Sequence, residues 1–265
     1  MSDLDWLTAG PSPVADLEQG LAQLEEHGAC IITDALAPEL LDDLHRAIYR
    51  AAHTDRRYGL EQAYQYGKDD HVNQRIWNLP SHDPVFCELA EHPLAIEVVR
   101  RTLGWPASLS SMSANITNGG GASMMLHTDQ GYLPGPLTRP WVFNLVWCVD
   151  EFTAQNGATL IAPGSHRLNG ASLSEEAVRR MIPTIAPAGS LLVLDGRLWH
   201  TNGVNTCGVS RAAVFAVYTL PWLMPQENWS LSLNPSVRQF GSETLQTLFG
   251  FRPQVLGRVN GMERI

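Results

Sequence analysis

From about Trp105 onward the chain breaks into short runs of branched and aromatic residues, separated by clusters of glycine, proline, asparagine and aspartate. The clearest are Trp141-Val-Phe-Asn-Leu-Val-Trp-Cys-Val, Ala158-Thr-Leu-Ile-Ala, Ser190-Leu-Leu-Val-Leu and Ala212-Ala-Val-Phe-Ala-Val-Tyr. Runs this short, bounded by turn formers, suit strands better than helices, and several in succession mark an antiparallel sandwich or barrel. Two helical stretches accompany them. One, Glu175 to Met181, follows a Ser172-x-x-Glu175 capping box; the other, Ser236 to Phe249, is amphipathic.

The first hundred residues carry a different period. Leu17, Leu21 and Leu24 fall at helical spacing before a Gly28 stop, and Ala29-Cys-Ile-Ile-Thr then reads as a strand. Pro38 opens a second helix through Leu40, Leu41, Leu44 and Ile48, in the first turn, where its missing N–H costs no hydrogen bond. A third helix is expected from Asp83 or Pro84 towards Leu103, broken or kinked near Pro93 and ending at Gly104. Between the second and third helices, Tyr58 to Pro80 is polar and aromatic without a clean period, as in a long loop that covers a site. The chain has no internal repeat, low-complexity tract or linker. Its 265 residues therefore read as one domain: helical support and covering loop over 1–104, a β core over 105–222, and a C-terminal helix and tail over 223–265.

Composition removes several classes. Hydrophobic residues at 44% and charged residues at 17% belong to a globular chain with a large core, not to a disordered one. No apolar stretch reaches the ~18 residues of a membrane-spanning helix. The acidic start Met1-Ser-Asp-Leu-Asp lacks the basic-then-apolar order of a secretory signal, so a cytoplasmic location is expected. Eighteen basic against 27 acidic residues leave a net charge of -9, and only short pairs such as Arg56-Arg57, Arg100-Arg101 and Arg179-Arg180 interrupt it. That balance argues against nucleic acid as a partner. Cys30, Cys87, Cys148 and Cys207 lie far apart with no CxxC pair, which reads as reduced thiols, not as a zinc site or disulfide framework.

His127-Thr128-Asp129 is the first motif with metal chemistry in it. On a strand, residues two apart share a face, so an imidazole and a carboxylate would converge on one point. Alone the motif fits a surface pair or a local hydrogen bond equally well; it needs a third ligand from elsewhere. His200, at the end of the buried run from Ser190, is the best candidate, although a lone histidine there also fits a satisfied core residue. Two histidines and a carboxylate make the facial triad that suits non-haem Fe(II) and leaves positions open. Between His200 and Arg211 the chain is dense in turn formers. A hairpin centred on Asn205-Thr206 would set residues 200 and 211 opposite each other, and the arginine would share the metal's cavity. A buried arginine needs an anionic partner, and a dicarboxylate chelating the iron would supply one; a surface arginine at a hairpin exit is the alternative.

Taken together, Leu126-His-Thr-Asp-Gln-Gly-Tyr132, Asn156-Gly-Ala-Thr-Leu-Ile-Ala-Pro-Gly-Ser-His166, Gly189-Ser-Leu-Leu-Val-Leu-Asp-Gly196 and the His200–Arg211 pair resemble the phytanoyl-CoA dioxygenase family of Fe(II)/2-oxoglutarate oxygenases. Arg75-Ile-Trp-Asn-Leu, the helix ending at Leu103-Gly104 and the tail Leu248-Phe-Gly-Phe-Arg-Pro extend the likeness over most of the chain. The resemblance implies a mainly β fold with flanking helices around a double-stranded β-helix, the jelly-roll or cupin-like core. It implies His127, Asp129 and His200 as iron ligands, and Arg211 on the distal carboxylate of 2-oxoglutarate.

Asn115, Asn144 and Thr159 sit on expected strands and could also reach 2-oxoglutarate, or simply face solvent. Gln74, Arg75 and Trp77 in the covering loop, with Met124 and Met125, are candidates for substrate contact; packing is the alternative for Trp77 and the methionines. His166 ends a Pro-Gly-Ser-His turn and reads as structural. The implied activity is a dioxygenase that uses Fe(II), O2 and 2-oxoglutarate. It would hydroxylate or otherwise oxidise an unactivated C–H bond of a small organic molecule, in specialised metabolism, with release of succinate and CO2. A cupin-like metalloenzyme that does not use 2-oxoglutarate and a non-catalytic metal-binding module are the alternatives. A single lysine and an acidic balance give no basic track for the nucleotide of a CoA thioester. Substrate identity and oligomeric state stay open at this level.

Overall fold

The structure, a computed structural model, describes residues 4–59, 62–63, 73–120 and 123–252. Its strands are β1 (Pro13–Val14), β2 (Ala29–Ile32), β3 (Gln62–Ala63), β4 (Gln74–Ile76), β5 (Ser108–Thr117), β6 (Val142–Cys148), β7 (Thr159–Ile161), β8 (Ile182–Pro183), β9 (Leu191–Asp195), β10 (His200–Asn202) and β11 (Arg211–Thr219). They form an eight-stranded sheet in the order β1-β2-β9-β6-β11-β5-β4-β3 and a three-stranded sheet in the order β10-β7-β8. The fold is therefore mainly β with flanking helices, built as two open sheets and not as a closed barrel.

Period-two alternation divides the large sheet between two cores. On one face Leu145 and Trp147 of β6, Val193 of β9, and Val214, Ala216 and Tyr218 of β11 pack against the helices α1 (Leu17–His27), α2 (Pro38–Tyr58), α3 (Pro84–Ala90) and α4 (Pro93–Thr102). On the other, Val146 and Cys148, Leu192 and Leu194, and Ala213 and Phe215 meet Ile161, Ala158, Phe152 and Leu198 from the side of the small sheet. β5 breaks the symmetry. Its helix-facing residues Met112, Ala114 and Ile116 are apolar, but Ser111, Ser113, Asn115 and Thr117 face inward and are buried. The space between the sheets is thus apolar at β9 and polar at β5.

The five sequence-read strands are present with ends shifted by a residue or two, as are the first two helices. The third helix is broken at Pro93 as expected, into two helices, because Asp83 and His92 each cap an N-terminus and each is followed by a proline. Three expectations need correction. The covering loop contains β4, which pairs with β5 through Arg75↔Asn115; residues 60–61 and 64–72 lie outside the described residues. The short helix runs Glu175–Arg179 and is capped by Ser174, whose side chain accepts from the Ala177 N–H, not by Ser172. The last amphipathic stretch is split into Pro235–Phe240 and Glu243–Leu248, since Ser242 starts a fresh N-cap. The family-like tail continues past residue 252, outside the described residues. All four cysteines are free thiols. No helix among the described residues is long and apolar enough to cross a membrane.

Candidate metal centre and its cavity

His127 and His200 meet as a hydrogen-bonded antiparallel pair: each backbone N–H donates to the other's carbonyl, at 3.0 and 2.9 Å. Directly opposed residues share a face, which sets the two imidazoles 4.3 Å apart between ring centroids. His127, Asp129 and His200 then offer one ligand atom each, all within 4.8 Å of one another. Asp129 does not lie on a strand with His127, as the spacing suggested. It opens a turn that buried Gln130 holds in place: Gln130 N–H donates to Gly196 O, and its side chain donates to Arg139 O and accepts from Trp141 N–H.

Hydrogen bonding fixes which atoms face the centre. His127 Nδ1 lies 2.9 Å from Met125 O and His200 Nδ1 lies 3.0 Å from Leu198 O. A carbonyl only accepts, so both Nδ1 atoms carry the proton and both Nε2 lone pairs are free for a cation. Nε2 of His127 and of His200 sit 3.6 and 3.8 Å from the two oxygens of Asp129. Burial alone would raise the Asp129 carboxyl, but His200, His127 and the Asn144 amide hold it well below the usual carboxylate range. Asn144 Nδ2 donates to Asp129 Oδ2 at 2.9 Å. Burial pulls His200 below its ordinary value. For His127 the opposing burial is outweighed by Asp129, and its pKa is raised. Two imidazole nitrogens and an ionised carboxylate, the last held by an amide, are a donor set for one divalent transition metal.

His127 and Asp129 open onto a cavity of about 490 Å³. Arg75, Trp77, Met124, Met125 and Asn144 also line it, so seven of the residues singled out in the sequence are there. Arg75 Nε donates to Asn115 Oδ1 at 2.9 Å, and its guanidinium lies 4.9 Å from the Trp77 ring centre. Gln74 is elsewhere: it faces the helix layer and donates to Ala52 O. The period of two sends it to the opposite face from Arg75. His166 is buried away from the triad, with Nε2 at 3.2 Å from Glu25 O, in keeping with a structural turn.

Arg211 is completely buried, which removes the surface alternative, but it does not sit opposite His200. The intervening loop crosses between the sheets: His200 opposes His127 and Ile161, whereas Arg211 opposes Thr117 in the large sheet. Its Nη2 donates to Thr117 Oγ1 at 2.8 Å and its guanidinium lies 4.1 Å from the Phe152 ring centre. Thr159 is buried on β7, opposite Asn202, and its hydroxyl has no hydrogen-bond partner among the described residues.

Several cavity residues escape sequence reasoning, among them Ser110, Ser111, Ser113, Tyr132, Phe215 and Gln226. The serines did leave a signal. Ser108-Leu-Ser-Ser-Met-Ser-Ala-Asn-Ile-Thr117 alternates polar and apolar except at Ser110-Ser111, where the β5–β11 register shifts. At that bulge the segment after β11 is stitched on. Glu227 N–H donates to Ser110 O, Gln226 N–H donates to Ser110 Oγ, and the Glu227 carboxylate accepts from Met112 N–H.

The family model described as phytanoyl-CoA dioxygenase matches residues 24–213. Dioxygenase af480 of Aspergillus fumigatus is 34% identical over 237 residues, which cover 88% of this chain and 76% of that protein. Among solved structures, AviO1 from Streptomyces viridochromogenes superposes with a TM-score of 0.66 at 22% identity, covering 81% of this chain and 99% of that one. HygX from Streptomyces hygroscopicus, with nickel, 2-oxoglutarate and hygromycin B bound, superposes with a TM-score of 0.63 at 16% identity, covering 79% and 90%. At those identities the two structures establish a shared fold.

Proposed function

The chain belongs to the phytanoyl-CoA dioxygenase family, and on that premise we propose that it is an Fe(II)- and 2-oxoglutarate-dependent dioxygenase that hydroxylates a C–H bond of a small organic substrate. The convergence of His127 Nε2, His200 Nε2 and the Asp129 carboxylate, with His127 and Asp129 opening onto a cavity, carries the reading. When bound, iron would activate O2, the oxidant, with 2-oxoglutarate giving up two of the four electrons O2 takes as it is oxidised to succinate and CO2, and the substrate C–H bond giving up the other two.

The residues present fit both groups. Leu198 O and Met125 O lock the two imidazole tautomers, and the Asn144 amide orients Asp129, so the ligand set is arranged before a metal arrives. Asn144 is thereby read as a support for Asp129 in place of the 2-oxoglutarate contact expected from sequence. Arg211 presents a buried planar cation with two parallel donors, suited to a carboxylate. Thr159 adds a buried hydroxyl whose hydrogen bond is not made among the described residues. Arg75, tied to Asn115 and lying over Trp77, flanks the substrate side and holds a positive charge near His127.

The test couples metal to turnover. Purified protein reconstituted with Fe(II) should consume O2 and convert 2-oxoglutarate to succinate, slowly without substrate and faster with it. His127→Ala and His200→Ala should lose both iron and succinate formation. Succinate release that persists in both variants at saturating iron would reject the triad.

A further inference from the structure

The strand registers give the cavity walls of opposite character. Phe215 and Val217 of β11 and Val142 of β6 form one apolar stretch, with Met124 and Met125 adding to it. Ser111 and Ser113 come next along the sheet, on the inner face of β5, and the bulge adds Ser110 beside them. A ligand lying on this surface therefore meets hydrocarbon on one side and a row of buried hydroxyls on the other. At the opening, Met125, Tyr132 and Met224 are 61%, 63% and 84% exposed, so the rim is apolar. Isolated exposed apolar residues mean little, but three around one cavity favour entry of an apolar molecule from water.

Charge is scarce in the cavity. Apart from the triad, Arg75 is the one charged residue among the described lining. Its guanidinium is held against the wall by Asn115 Oδ1 and the Trp77 ring. A CoA thioester brings several phosphates, which call for several cations. This wall offers one.

Building on the oxygenase reading, we infer that the cavity takes a free, uncharged, largely hydrocarbon molecule with oxygen functions along one edge, and that Ser111 and Ser113 read that edge. Phe215 and Val217 support its hydrocarbon side. The name of the family then describes neither the charge nor the carrier of this member's substrate.

Flexible ten-carbon probes test the inference without needing the native substrate, since such a chain adapts to any cavity of this size. Binding of decane-1,2-diol, decanoate, decylammonium and decanoyl-CoA is measured by calorimetry on protein loaded with iron and 2-oxoglutarate, without oxygen. The diol should bind at least tenfold more tightly than either charged ten-carbon probe, and decanoyl-CoA should not displace it. Ser111→Ala/Ser113→Ala should weaken the diol about tenfold, as expected for two neutral hydrogen bonds, with thermal stability little changed. Val217→Trp, which fills the cavity, should abolish binding. Tighter binding of a charged probe or of decanoyl-CoA, no binding of any probe, or diol binding that survives Val217→Trp or is indifferent to the serines would overturn the inference. The same samples report iron content: loss of iron from the wild-type protein would instead count against the triad.

Discussion

Replacing Arg211 by methionine separates an arginine kept for a ligand from one kept for the fold. The side chain is fully buried, gives a bond to Thr117 Oγ1 at 2.8 Å and lies over Phe152. Methionine has a comparable length and adapts its shape to the same slot. Exchanging buried ion-paired groups for apolar ones of similar volume is often neutral or stabilising, by about 1–4 kcal/mol. Against this stand at least the lost hydrogen bond, about 1 kcal/mol, and the cation–π contact, about 0.5–2 kcal/mol. Gain and loss are of the same size, so the Tm of the ligand-free variant should fall by a few degrees at most.

Affinity for 2-oxoglutarate should behave quite differently. Truncating one member of a desolvated charge pair costs about 2–5 kcal/mol, which is roughly 30-fold to several-thousand-fold in Kd. Arg211→Lys keeps the charge but loses the planar fork, and should fall between. Calorimetric titration with 2-oxoglutarate under anaerobic conditions gives the affinities, and thermal melts of the same proteins give the stabilities. A methionine variant that melts many degrees lower yet binds 2-oxoglutarate normally would refute the reasoning. Arg211 would then be a tie between β5 and β11 and nothing more.

Other consequences are more local. Asn144→Ala removes the amide that orients Asp129, and should weaken Fe(II) binding about 10- to 100-fold in a metal titration while the fold is retained. Gly28 ends α1 at φ +77°, and a Cβ there would stand 2.5 Å from His166 Nδ1 and 2.9 Å from Leu198 Cδ1. Gly28→Ala should therefore cost about 2 kcal/mol or more in denaturant unfolding, an effect absent if His166 can move aside. Burial lowers His27, His92 and His166 below their ordinary value of 6.5. Between the folded and unfolded pKa values the unfolded chain holds more protons, so stability should fall as the pH drops below about 6.5, and His166→Gln should flatten that fall.

How much of this was legible in the sequence depends on how local the cause is. Helix ends were legible because glycine, proline and capping side chains act within one turn; Gly28 and Pro38 mark theirs correctly. Runs such as Leu191-Leu-Val-Leu194 show their strand because both faces are buried and all four positions are apolar. The triad was found through order and type of residue, but the reason it assembles was not. His127 meets His200 through a two-residue bridge that no spacing rule reveals, and the hairpin inferred for residues 200–211 proved to be a crossing between sheets.

β5 is the instructive failure. Its inner row, Ser111, Ser113, Asn115 and Thr117, looks like the solvent face of an edge strand, since polar alternation normally means water on that side. Burial of such a row is tolerable only if something inside satisfies it, and here Arg75 engages Asn115 while Arg211 engages Thr117. The two serines nearest the opening face the cavity instead. A strand that is polar on its buried side has given up hydrophobic stabilisation there, and such concessions concentrate where a ligand must be met. The doubled serine at 110–111, where the alternation slips and the chain after β11 is anchored, is the one mark of that concession the sequence carries.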